Sequence, residues 1–156
     1  MDKTTIVLTV IIALAVCVAL IVGLTYKAPE EIEFPTATLE ATFIKCAYRD
    51  YANPPDLEMF YQIKVTRGVV YPGEYIYIDA GDKQSSSLMI DRHYYSGVIL
   101  WGEINWSSGN KGQEWYVDGV EPQETLTYKI MHCTEAFDNC NVVGWSGRTL
   151  DVEDCG

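Results

Sequence analysis

The chain has 156 residues, with 22 Asp and Glu against 11 Lys and Arg, a formal net charge of −11. That balance argues against nucleic acid and against close binding to anionic lipid, because both need a cationic face. Beyond an apolar N-terminal run, about 120 residues are left, one ordinary domain able to bury a core.

The run from Ile6 to Leu24 holds no charge, Pro, Asn or Gln, and only Thr9 and Cys17 interrupt its aliphatics. At about 1.5 Å per residue it spans roughly 28 Å, close to a hydrocarbon core of about 30 Å. A cleaved signal has a shorter apolar stretch, about 7–15 residues, and small residues at the cut. Here Thr25-Tyr26-Lys27-Ala28-Pro29 follows, with no Ala-x-Ala pattern. A lipoprotein cut is disfavoured because Val16, not a small residue, precedes Cys17. The expectation is a retained anchor over 1–27, a Pro- and Glu-rich connector over 28–35 and a β domain over 36–156. Lys3 and the α-amino group before the span nearly balance Lys27 after it, so the positive-inside rule leaves orientation open.

Small residues recur every four positions along the anchor: Ala15, Ala19 and Gly23 on one stripe, Thr9, Ala13 and Cys17 on another. Such stripes let helix backbones approach closely in lipid. The expected partners are therefore membrane lipid along residues 6–24 and copies of this chain or another membrane protein.

The remaining segments alternate with period two. Thr36 to Tyr48 places Ala37, Leu39, Ala41 and Phe43 on one parity, the pattern of a half-buried strand. Asn53-Pro54-Pro55-Asp56 breaks the chain. Leu57 to Thr66 alternates again, and Val69 to Tyr71 leads into the turn Tyr71-Pro72-Gly73-Glu74. Short strands are predicted over Tyr75 to Ile78, Leu88 to Ile90, Tyr94 to Trp106 and Trp115 to Val117, with Gly97 and Gly102 as bulges. Thr125 to Cys133, Asn141 to Trp145 and Thr149 to Val152 complete the set. Seven to nine short strands joined by turns predict a mainly β fold, an antiparallel immunoglobulin-like sandwich behind a single hydrophobic helix.

Four cysteines lie in the β domain: Cys46, Cys133, Cys140 and Cys155. In an extracytoplasmic domain an even set reads as two disulfides. The favoured pairs are Cys133–Cys140, closing a short loop, and Cys46–Cys155, pinning the tail; Cys46–Cys133 is the rival. Asn105-Trp106-Ser107 is an N-glycosylation acceptor triplet. Together with the anchor these features place the domain outside the cell.

Catalytic groupings are not evident. The two histidines, His93 and His132, limit general-base options, and there is no nucleophile elbow or phosphate-cradling loop. Met131-His132-Cys133 lacks the later His and Met of a cupredoxin loop, so no copper is expected. Asp79, Asp82 and Asp91, or Asp151, Glu153 and Asp154, supply too few oxygens for calcium unaided. No metal or cofactor is expected. The aromatics Tyr94, Tyr95, Trp101, Trp106, Trp115 and Tyr116 read first as sheet packing and second as a carbohydrate platform.

Trp115 to Tyr128 resembles a recurrent element of prokaryotic immunoglobulin-like surface modules, a strand running into a Pro-Gly-Glu turn and a Thr-rich strand. Here Gln123 stands where Gly is usual. The larger plan, an apolar N-terminal helix followed directly by a β-sandwich, resembles archaeal type IV pilins and archaellins. That resemblance implies helices packed into a filament core through the small-residue stripes, with the sandwiches outside. The family's leader is cut after a Lys/Arg-Gly or Lys/Arg-Ala pair, whereas Met1-Asp2-Lys3-Thr4-Thr5 contains none. The expected function is a non-catalytic, membrane-anchored surface protein, first of all a self-associating structural subunit. Alternatives are an accessory subunit of a membrane complex and a monomeric ectodomain that binds a ligand or carbohydrate.

Overall fold

The computed structural model describes residues 2–25, 34–102, 111–144 and 148–156. The chain forms two compact units, Met1–Ile32 and Glu33–Gly156. In the first, α1 (Lys3–Thr25) is apolar around its whole circumference. The Asp2 carbonyl accepts from the amides of Thr5 and Ile6, closing the first turn. Thr9 satisfies its hydroxyl internally, donating to the Thr5 carbonyl at 2.8 Å. The segment Lys3–Ile21 is long and apolar enough to cross a membrane, and none of it is buried by the rest of the chain.

The second unit is mainly β and antiparallel. One sheet orders β1 (Thr38–Arg49), β2 (Asp56–Arg67) and β8 (Gln113–Asp118); β3 (Val69–Val70) pairs with β7 (Tyr94–Tyr95). The other sheet joins β10 (Asp138–Val142), β9 (Thr125–Glu135), β4 (Tyr75–Ala80) and β5 (Lys83–Gln84), with β6 (Leu88–Met89) on β4 and β11 (Arg148–Asp151) on β9.

Alternation explains the long strands. On β2, Leu57, Met59, Tyr61, Ile63 and Val65 all turn inward and are 1% exposed or less. On β9, Leu126, Tyr128, Ile130 and His132 share the inward parity. Apart from His132, these side chains join Ile76, Ile78 and Ala80 of β4 in one continuous core. Within it the Tyr61 and Tyr128 hydroxyls hydrogen-bond to each other between the sheets, and burial raises both phenols above their usual pKa, Tyr61 strongly. Trp115 packs edge-on against Tyr61. Gly112, at φ 154°, passes so close to β2 that a Cβ there would lie 2.3 Å from the Tyr61 carbonyl oxygen.

Two isolated bridges join the sheets at their lateral edges. Gly144 pairs in parallel with Glu40 of β1, and Ser85 pairs with Val117 of β8. The Gly144 amide donates to Leu39 and the Ala41 amide donates to Gly144. Beyond β10 the chain thus crosses to β1 before β11 returns to β9. The second edge of β2 is covered first by β8 and then by residues 97–100, whose backbone bonds to Ile63 and Val65. Edges closed this way offer few unpaired amides to a foreign strand.

Three predicted strands differ in detail. Of the described part of the stretch Tyr94 to Trp106, residues 94–102, Tyr94–Tyr95 is the strand; Gly97, at φ 92°, turns the chain back against β2 rather than bulging. β10 begins at Asp138, earlier than expected, and β11 ends at Asp151, where a 3-10 turn (Val152–Asp154) takes over.

Candidate functional site

The predicted helix-packing residues lie on two faces of α1. At about 100° per residue, Ala15, Ala19 and Gly23 sweep roughly 80° of the surface, and Thr9, Ala13 and Cys17 sweep another roughly 80°, centred about 120° away. Cys17 is a free thiol exposed within the single chain. A Cβ added at Gly23 would meet nothing within 4 Å.

The cysteines are joined as Cys46–Cys155 and Cys133–Cys140. The first bond fixes the tail along β1, where the Tyr48 amide also donates to the Cys155 carbonyl at 3.2 Å. The second staples directly opposed residues of β9 and β10. Cys133 is therefore no thiolate ligand beside His132. Asn105 and Trp106 lie outside the described residues. Among the described residues, no group of three or more His, Cys, Asp or Glu is placed to hold a metal ion.

The carboxylates suggested for calcium have other duties or stand apart. Asp79 accepts from the Gly81 amide, and Asp91 accepts from Arg92 Nε and the Tyr94 hydroxyl. Those two donors hold the Asp91 carboxyl below its usual range. Asp151 accepts from Thr125 Oγ1. The aromatic set does not converge on one surface: Trp115 is core, Trp101 packs on it, and Tyr116 faces outward beneath Arg49, 4.2 Å from its ring centre.

The structure assembles groups that sequence spacing does not reveal. His132, 2% exposed, places Nε2 at 2.8 Å from Glu74 Oε2, beside a cavity of about 330 Å³ between residues 35–39 and 141–144. A larger cleft of about 490 Å³ is lined by Arg92, His93, Tyr94, Val98 and Lys111. Above it Tyr71 meets His93 edge-on at 5.4 Å, and His93 stacks on Tyr95 at 6.4 Å. Tyr71 and Tyr95 are 49% and 59% exposed.

Charge is also segregated. The strand register gathers Asp50, at the end of β1, with Asp118 at the end of β8; Glu121 follows in the next turn, and the tail brings Asp151, Glu153 and Asp154. All six are exposed. Arg49 binds Asp56 through Nε and Nη2 at 2.6 and 2.5 Å, and Lys83 pairs with Glu124. The Lys83 ammonium holds the Glu124 carboxyl below its usual range. The cleft with Arg92 and Lys111 lies along the other half of β2, where residues 97–99 run beside Lys64 and Val65. No family model, curated protein or solved structure matches the chain.

Proposed function

We propose that this protein is a non-catalytic, membrane-anchored surface subunit that self-associates through α1 and presents its disulfide-bonded β domain on the oxidising side. One observation carries the reading. α1 has no polar face to turn toward water, and the chain buries none of it. A helix of that kind is stable in lipid or against other helices. Two small-residue stripes about 120° apart suit a helix with two neighbours rather than one, which is the arrangement of a packed array. The closed edges and cross-linked tail of the β domain suit an outer coat.

Native material tests this by N-terminal sequencing together with negative-stain imaging. The expected result is an intact apolar segment in assembled particles or fibres. Ala19→Leu should abolish them by wedging the helices apart, while Val18→Leu, off both stripes, should not. Dispersed monomers carrying an intact anchor would overturn the reading, as would four free thiols in the β domain.

A further inference from the structure

We propose that the outer face of the sheet formed by β10, β9, β4 and β6 packs on the same face of a second copy across a two-fold axis. This contact between β domains goes beyond the helix-driven association proposed above and does not depend on it. Strand register gathers the surface. Val142, Met131 and Tyr77 stand side by side across β10, β9 and β4. In the next row the Cys133–Cys140 disulfide lies beside Tyr75 and Met89. On β9 these positions have the parity opposite to the buried Ile130 and His132, so they face away from the core. Phe137, from the turn between β9 and β10, sets its ring 4.8 Å from that of Tyr77. Met89, Val142 and Phe137 are 57%, 53% and 45% exposed. In a chain of net charge −11, the two rows carry no charged side chain. Exposed apolar groups that are contiguous, rather than scattered singly, mark an interaction surface.

The charges along β9 name the occupant. Its outward stripe reads Lys129, Met131, Cys133, Glu135: a cation, two apolar residues and an anion. Lys129 and Glu135 are exposed, and neither forms an ion pair among the described residues. Asp79, opposite Lys129 on β4, accepts from the Gly81 amide. Place a two-fold axis between the two sheets, perpendicular to β9 and level with the gap between Met131 and Cys133. The two stripes then run antiparallel, and each Lys129 faces Glu135 of the other copy. Two identical ion pairs bracket the apolar rows. An axis along the strands would instead set Lys129 over Lys129 and Glu135 over Glu135, so charge selects the first arrangement. It is also ordinary sheet packing: faces about 10 Å apart, with strands within about 30° of aligned. An isologous contact of this kind closes at two copies.

The test uses full-length protein in mild detergent, as an equal mixture of unlabelled and heavy-nitrogen chains. A zero-length carbodiimide joins a Lys amine to a carboxylate as an amide, with loss of water. Within one chain Lys129 and Glu135 stand about 20 Å apart at roughly 3.4 Å per residue, too far to be joined. The expected product is a Lys129–Glu135 peptide pair of mixed label, carried by covalent dimers. The Ala19→Leu variant should give it too, since this contact does not use α1. By sedimentation velocity in the Ala19→Leu background, Lys129→Glu should weaken the dimer at least about tenfold, as should Glu135→Lys. Both reversals in one chain should restore it, which also shows that the single variants do not fail by misfolding. Loss of particles in negative stain with the dimer kept would strike the functional reading alone. Absence of the mixed pair from parent and Ala19→Leu protein would overturn the proposal and leave helix association standing. Covalent chains longer than two through this pair would mean head-to-tail contact and overturn the two-fold. If Met89→Asp lowers binding to phosphatidylcholine vesicles and leaves the dimer unchanged, the face lies on a membrane and the proposal is wrong.

Discussion

His132 Nε2 and Glu74 Oε2 lie 2.8 Å apart, and the same carboxylate oxygen accepts the Tyr71 amide at 3.1 Å. The imidazole is 2% exposed, and its Nδ1 is buried with no hydrogen-bond partner among the described residues. One ring nitrogen thus depends wholly on Glu74. With the proton on Nε2, Nδ1 is left holding only a lone pair, a smaller penalty than a buried N–H without an acceptor. Glu74 therefore ties the turn before β4 to the interior end of β9.

Glu74→Ala removes the acceptor from both donors. The Tyr71 amide is at the surface and finds water, whereas the imidazole does not. The expected loss is about 1–3 kcal/mol, read as a lower urea midpoint at unchanged slope. Adding His132→Leu should recover part of that loss, because the orphaned donor leaves with the ring. Equal losses in the single and double variants would show that the pair acts through something other than this bond.

The two disulfides differ mainly in the length of chain they close. Cys46–Cys155 spans 109 positions and Cys133–Cys140 spans 7. Loop-closure entropy then assigns about 4.8 kcal/mol to the first and about 2.4 kcal/mol to the second at 25 °C. Replacing each pair by serine should lower stability in that order, with the β9–β10 staple the milder loss. Thermal or urea unfolding of the two double variants checks it. A reversed order would mean that Cys133–Cys140, sitting opposite each other in the ladder, does more than restrict the unfolded chain.

How much was legible depended on whether a signal was local. β2 was readable because Leu57, Met59, Tyr61, Ile63 and Val65 all obey one parity and all face the core. Cys133 and Cys140 were readable as a pair because few residues separate them. Trp115 follows the sheet-packing reading and lies in the core, whereas its strand neighbour Tyr116 points to the opposite face and lies under Arg49, so the alternative of one aromatic platform does not form from this pair. His132 follows the inward parity of Leu126, Tyr128 and Ile130, so its burial could have been inferred, but its partner Glu74 is 58 positions away. The acidic end needed the topology, since Asp50, Asp118 and Glu153 meet only through the pairing of β1, β2, β8 and the tail. Phe60 keeps the outward parity of β2 yet is 1% exposed, with Lys45 Nζ 5.9 Å from its ring centre.

Glu58 gives a prediction whose sign follows from its surroundings. It sits on the outward face of β2, half-buried, opposite Tyr116 of β8. Burial raises its pKa first and the neighbouring Glu114 carboxylate raises it further, while Lys45 and Arg49 pull it back. A carboxyl whose folded pKa is raised favours the folded state below its unfolded value. That contribution is lost as pH rises through the folded value. At neutral pH the ionised Glu58 therefore opposes folding. Glu58→Gln should stabilise the β domain at pH 7 by less than about 1 kcal/mol, given the partial exposure, and the gain should vanish near pH 4. Melting temperatures of parent and variant across pH 4–8 read this directly. A variant less stable than the parent at pH 7 would show that attraction to Lys45 and Arg49 outweighs burial and the Glu114 charge.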